Sequence, residues 1–262
     1  MPIGLLRLGR VCLCLLVAGL APFAAVHGAE DVAPQWRFIH NAPETEGDQR
    51  YAYHWRVLRA ALEITRGKYG DYRLEPGLPM SEKLQVVEMQ RPQVGLNTLV
   101  LDATQTLEEA LLPVKIPVDK GLLGYRVFLI QAADQPRFAT IQSLEQLRQL
   151  RFGQQREWSD VAVYQAAGLP VVTGSSYEGL FHMLMLRRFD AFGRGVSEVS
   201  GELAHWRKKY PQMAIESELL LYYPLPVYFW FARTDEGRLR AQRVEEGMLA
   251  LMADGTLDRL FA

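Results

Sequence analysis

Apolar positions along this chain switch between a spacing of two and a spacing of three to four, which predicts strands alternating with helices. Trp36-Arg37-Phe38-Ile39-His40 alternates as a short strand. Asn41 to Arg50 is polar and acidic, with a proline and a glycine, so it reads as a loop. Tyr51 to Thr65 sets Trp55, Leu58, Ala61, Leu62 and Thr65 at helical spacing, with Gly67 and Gly70 as its stop. Tyr72 to Glu75 is a second strand, Ser81 caps a helix that opens at Glu82, and Thr98 to Leu101 is a third strand.

From Leu111 to Gln131 the pattern changes. Pro113 and Pro117 interrupt it, Gly121 and Gly124 loosen it, and Tyr125 to Ile130 is a strong strand. This segment reads as a connection leaving one lobe for another. The alternation then resumes: helix Ser143–Gln149, strand Arg151–Gly153, helix Trp158–Ala167, strand Val171–Thr173, helix Tyr177–Arg188, strand Phe189–Phe192 and helix Val196–Lys208. Leu219 to Ala232 is extended and aromatic, with Pro224 and Pro226 inside it, and reads as the return crossing. Leu239 to Phe261 closes the chain as an amphipathic helix broken near Gly255. Such alternation predicts an α/β protein with mixed, mostly parallel sheets, helices on both faces and ligands at the carboxyl ends of the strands. The predicted division is a leader at 1–29, one lobe from 30–124 plus 222–262, and a second from 125–221.

The leader follows from charge and composition. Met1 to Arg10 holds Arg7 and Arg10 and no acid, Val11 to Ala25 is almost entirely apolar, and small residues follow up to Ala29. That is the order of a cleavable secretory signal, and the apolar run is short of the ~20 residues of a spanning helix. The expected location is therefore the periplasm, with the membrane reached only through a partner. Cys12 and Cys14 both fall in the leader, so the mature chain offers no disulfide, thiol nucleophile or thiolate metal site. The formal net charge of -1 argues against nucleic acid as a partner.

Four pieces of the chain resemble one family. They are Ile116-Pro117-Val118-Asp119-Lys120-Gly121-Leu122-Leu123-Gly124-Tyr125-Arg126 with the strand after it; Ser143-Leu144-Glu145-Gln146-Leu147 followed by Phe152-Gly153-Gln154; Phe189-Asp190-Ala191-Phe192; and Gly247 to Leu260 with Asp254-Gly255-Thr256-Leu257 near its end. In order and spacing these are similar to the bacterial extracellular solute-binding proteins of the polar-amino-acid type. The resemblance implies the two-lobed periplasmic-binding-protein type 2 fold, with two crossings that act as hinges near 111–128 and 219–230. It implies a monomer that carries a small polar ligand to an ABC permease for transport, or presents it to a sensory receptor. One departure marks a divergent subgroup. Where the family places an acid for the ligand's amino group, this chain has Gly193-Arg194-Gly195. A cation there turns the expectation toward an anionic ligand.

The candidate ligand residues follow from strand ends. Arg194, just past a strand and flanked by glycines, could grip a carboxylate or phosphate through its fork. Substituting it by Ala is expected to lose ligand with little loss of stability. Trp158 and Ser159 lie at one strand-to-helix junction, and Ser175 and Tyr177 at the next, with Ser176 as the helix cap. Arg126 stands on an otherwise apolar strand, where it points at a ligand or pairs with a core acid. Glu44 represents the polar loop after the first strand, which also holds His40, Asp48, Arg50 and Tyr51, and Tyr223 represents the aromatic return crossing. HExxH, GxSxG and P-loop patterns are missing, and the histidines at 40, 54, 182 and 205 have no metal spacing, so no cofactor, metal or catalytic group is expected. A dehydratase-like enzyme on the same scaffold, using Glu178 or Asp160, is the minor alternative.

Overall fold

The computed structural model describes residues 36–45, 48–91 and 95–262. The segment 1–29, expected from the sequence to be a leader, and both cysteines lie outside them. Eleven strands are formed among these residues: β1 Trp36–His40, β2 Tyr72–Pro76, β3 Leu99–Asp102, β4 Leu112–Val114, β5 Tyr125–Gln131, β6 Phe152–Gln155, β7 Val171–Gly174, β8 Ala191–Gly195, β9 Met213–Ile215, β10 Leu221–Tyr222 and β11 Val227–Phe231.

They make two separate centres. In the first, β1 and β2 pair in parallel and β11 lies between β3 and β4, antiparallel to both. In the second, a mixed sheet runs β10-β5-β8-β6-β7, with β9 also on β5. There β6 is parallel to β7 and β8, while β5 is antiparallel to β8, β9 and β10. The α/β alternation read from the sequence is the architecture adopted.

Period-two alternation explains the layers. On β5, Val127 and Leu129 face one core with Phe181 and Phe192, while Phe128 and Ile130 face another with Phe152 and Tyr164. On β11, Val227, Phe229 and Phe231 join Phe38, Leu58 and Met248, whereas Trp230 turns to Met89, Leu99 and Leu101. Helix Ala52–Ile64 buries Val57, Leu58, Ala61 and Leu62, one stripe at helical spacing. It lies against the long helix Asp235–Ala253, which Thr234 caps by accepting from the Gly237 N–H.

The chain passes between the centres twice, through 115–124 and 223–226, and the two passages are tied together. The Tyr223 N–H donates to the Gly124 carbonyl at 3.2 Å, and the Val118 N–H donates to the Val227 carbonyl at 2.9 Å. A Cβ on Gly124 would stand 2.3 Å from the Tyr223 carbonyl oxygen, so the approach requires glycine.

Several boundaries differ from the sequence reading. The strand expected at Phe189–Phe192 runs from Ala191 to Gly195, because β5 supplies ladder partners through to Gly195. Phe189 leaves the strand and packs against Gly153 in the core. The helix expected from Val196 starts at Val199, after a turn in which the Glu198 N–H donates to the Gly195 carbonyl at 2.9 Å. Gly67 sits inside a further helical turn, Arg66–Tyr69, and Gly70 ends it at φ +81°. β4 and β9, three residues each, are too short to carry a readable alternation.

Candidate functional site

Strand ends and helix starts from both centres converge on one crevice. At its middle is a cavity of about 50 Å³, room for a few waters. Arg50, Tyr51, His54, Glu82 and Asp102 line it from the first centre, and Arg126, Trp158, Asp160, Arg194 and Glu198 from the second. Two larger cavities share its walls. One of about 360 Å³ continues past Arg50, His54 and Glu198 to Tyr53 and Phe261. The other, of about 340 Å³, continues past Glu82, Leu101 and Asp102 to Val86, Val87 and Leu107.

The three arginines are each held by the chain's own carboxylates. Arg194 faces the same way as Val127, its partner across the ladder, donates to Glu202 at 2.7–3.0 Å and forms an ion pair with Glu198 at 3.1 Å. Its guanidinium lies 4.8 Å from the Trp158 ring and 5.0 Å from the Phe192 ring. Arg126, on the other face of the sheet, pairs with Asp160 at 2.7 Å and donates to the Tyr223 hydroxyl at 3.0 Å. That hydroxyl in turn donates to Asp160. Glu198, in the turn closing β8, meets both, with Arg126 at 3.9 Å, and accepts from the Gly195 N–H at 3.0 Å. Arg50 is gripped by Asp48 through two nitrogens at 2.7 and 2.9 Å and by Glu44 at 2.9 Å. It stacks 4.1 Å over the Tyr177 ring of the second centre.

Burial raises the acidity question for each carboxylate. For Glu198 it pushes the carboxyl up, but Arg194, Arg126 and Arg50 outweigh it and hold the group below the ordinary range. For Asp48 the hydrogen bonds and charge of Arg50 likewise overcome burial. Glu82 and Asp102 lack such a counterion. Burial and repulsion from Asp102 push Glu82 up to about 8, against weak opposition from Arg50 and Tyr51. Burial also raises Asp102, with Asp160 adding to it and the Ser159 hydroxyl and Arg126 opposing. Burial lowers His54 to about 4 against the pull of Glu198 and the Arg50 backbone, and both its ring nitrogens are shielded from solvent without a well-formed hydrogen bond.

The structure thus gathers Arg194, Trp158, Arg126, Ser159 and Tyr177 around the connected cavities, with Tyr223 directly behind Arg126. Arg194 lies within β8 and is buried, which corrects its placement in a loop past the strand end. Ser175 is exposed and outside the three cavities, while its neighbour Ser176 caps the helix Tyr177–Met185 as expected. Glu44 reaches the site only by holding Arg50. Among residues weighed more lightly, His40 donates from Nδ1 to the Asn41 carbonyl and stacks on Trp55, and Glu178 is exposed. Lys115 and Lys120 pair with Glu108 and Asp258. The sequence reading missed Glu82, Asp102, His54 and Glu198. Asp102 ends β3, so the rule that sites collect at strand carboxyl ends would have found it. Glu82 and His54 carried no local signal.

Solved structures share this arrangement along most of the chain. A substrate-binding protein of an amino-acid ABC transporter from Streptococcus pneumoniae, bound to L-arginine, superposes with a TM-score of 0.62 at 14% identity, over 86% of this chain and 92% of that one. The fold is that of the two-lobed periplasmic-binding proteins. An ancestral amino-acid-binding protein, described as a precursor of cyclohexadienyl dehydratase, matches at TM-score 0.61 and 14% identity, over 86% and 93% of the chains. The GluR0 ligand-binding core in complex with L-glutamate matches at 0.62 and 13%, over 88% and 97%. No protein-family profile matches the sequence, and no curated protein matches it either. At these identities the likeness concerns the fold, which serves an ABC-transporter component, a dehydratase precursor and a ligand-binding core alike.

Proposed function

We propose that this chain is a solute-binding protein of the periplasm, which takes a small polar ligand between its lobes and hands it to an ABC permease. The observation that carries this reading is the crevice itself. Polar side chains from both centres converge on connected cavities at strand carboxyl ends, where a ligand touching both sides would favour the closed arrangement. Residues 30–124 with 222–262 would move as one lobe and 125–221 as the other, about the crossings near 111–128 and 219–230. A receptor-facing role would use the same closure, and the likeness to the GluR0 core keeps that second reading open. Binding rather than turnover is favoured because Asp160, an acid suited to dehydration chemistry, is engaged by Arg126 and Tyr223.

An anionic ligand, suggested by Arg194, draws less support from the geometry, since Arg50, Arg126 and Arg194 are all matched by internal carboxylates. The test is a thermal-shift screen of the mature protein against amino acids, organic acids, amines and sugars, followed by calorimetry. One class should raise the melting temperature, with the compound recovered unchanged. Chemical conversion of the compound would overturn the binding reading in favour of an enzyme.

A further inference from the structure

Resting on the reading of this crevice as a solute site, we propose that the ligand is an amine with an unbranched apolar arm, its ammonium between Glu82 and Asp102 and its arm in the chamber of Val86, Val87, Leu101 and Leu107. Three independent observations lead there.

The first is charge. The carboxylates that line the central cavity divide into two sets. Asp160 and Glu198 belong to arginines at 2.7 and 3.1 Å. Glu82 receives only the Tyr51 hydroxyl, at 3.2 Å, and Asp102 has the Ser159 hydroxyl buried beside it without a well-formed hydrogen bond. Two carboxyl groups facing one space with no cation paired to either, the arginines nearby being held by other acids, are unfavourable when both ionise, and an ammonium between them removes the conflict. A divalent ion is a poorer fit, because calcium takes 6–8 oxygens and these two carboxylates with one hydroxyl fall short.

The second is an unpartnered group in the same cavity. Both ring nitrogens of His54 are shielded from solvent and neither makes a well-formed hydrogen bond, the Arg50 backbone being the one protein group that acts on the ring as a hydrogen-bond partner, so a polar ligand atom there would satisfy the other nitrogen.

The third is shape and polarity. The 340 Å³ chamber begins at Glu82 and Asp102 and runs outward along Val86, Val87, Leu101 and Leu107. Val87 is 40% exposed there, an apolar side chain without cover. An arm laid along Val86, Val87, Leu101 and Leu107 would bury that surface, while the polar lining of the chamber (Lys83, Thr104, Thr106, Glu157 and Ser159) stays free to meet water.

Occupation also has a chemical signature. The proton that burial keeps on Glu82 near neutral pH leaves when an ammonium arrives, so binding releases protons and tightens as pH rises toward 8.

Calorimetry of the full mature chain against ethylamine, butylamine and hexylamine, with hexanoate and hexanol as matched controls, tests this. Binding should strengthen up to about fourfold per added methylene, with heat that depends on the ionisation enthalpy of the buffer. Hexylamine should bind at least tenfold more tightly than hexanoate or hexanol, and Glu82→Gln or Asp102→Asn should each weaken it tenfold or more. Equal or tighter binding of hexanoate or hexanol overturns the proposal without recourse to any variant. If an amino acid or a sugar binds and compacts the protein while the amines do not, the amine proposal falls and the solute-binding reading stands. If nothing binds in either panel, both fall.

Discussion

Arg194 shows how one residue's role changes once its neighbours are known. It is 3% exposed and its guanidinium is matched by Glu198 and Glu202, so it holds two lobe elements, β8 and the helix Val199–Trp206, to one another. Replacing it by Met would leave buried Glu202 with only the Tyr177 hydroxyl and Glu198 with only the more distant Arg126, at 3.9 Å, as a cation, and removing one member of such a group typically destabilises by about 3–5 kcal/mol. We expect a loss of that size in urea unfolding of Arg194→Met, partly restored by adding Glu202→Gln. A variant as stable as the wild type would show that these pairs contribute nothing net. The expectation of lost ligand at little cost in stability came from treating Arg194 as a loop residue. Its burial could not be read locally, because the ladder partners Val127 and Gly195's Arg126 lie some seventy positions earlier.

At the scale of elements, the two crossings are where sequence signals were strongest. Prolines mark both and glycines mark the first, and the structure passes the chain between its centres at 115–124 and 223–226. What the pattern did not reveal is that the crossings bond to each other. Gly124→Ala would drive a methyl group against the Tyr223 carbonyl. We expect a loss of about 1–3 kcal/mol from this overpacking, seen as a drop of several degrees in melting temperature. An unchanged melting temperature would show that the crossings separate freely. The misplaced end of β8 has the same origin as the missed strands β4 and β9. Strand limits are set by what a neighbouring strand offers, and these partners are distant in sequence.

For the whole molecule, the crevice links two titrations to stability. Folding raises Glu82 from an ordinary 4.5 to about 8, so its contribution is full below about pH 4.5 and is lost as pH rises through 8. Folding lowers His54 from 6.5 to about 4, so its contribution is full above pH 6.5 and is lost as pH falls through 4. Stability should therefore be greatest in mildly acidic solution. In melting curves from pH 4 to 9, Glu82→Gln should flatten the alkaline limb and His54→Gln the acidic one. Limbs that persist in both variants would assign the pH dependence to other groups.

Sequence by itself determined the class of this protein. Period-two and helical spacings are local, and their alternation through Ile39, Leu58, Phe128 and Phe192 sufficed for an α/β chain that crosses twice between lobes. Tertiary structure alone decided which charges are spent and which are free. Arg126, Arg194 and Arg50 look like ligand grips in the sequence, yet each is neutralised by an acid brought to it by the fold. Glu82 and Asp102, twenty positions apart and unremarkable in their own segments, face one cavity without a counterion. Electrostatic balance depends on distances of a few ångströms in a dry space, and only the packed chain sets those distances.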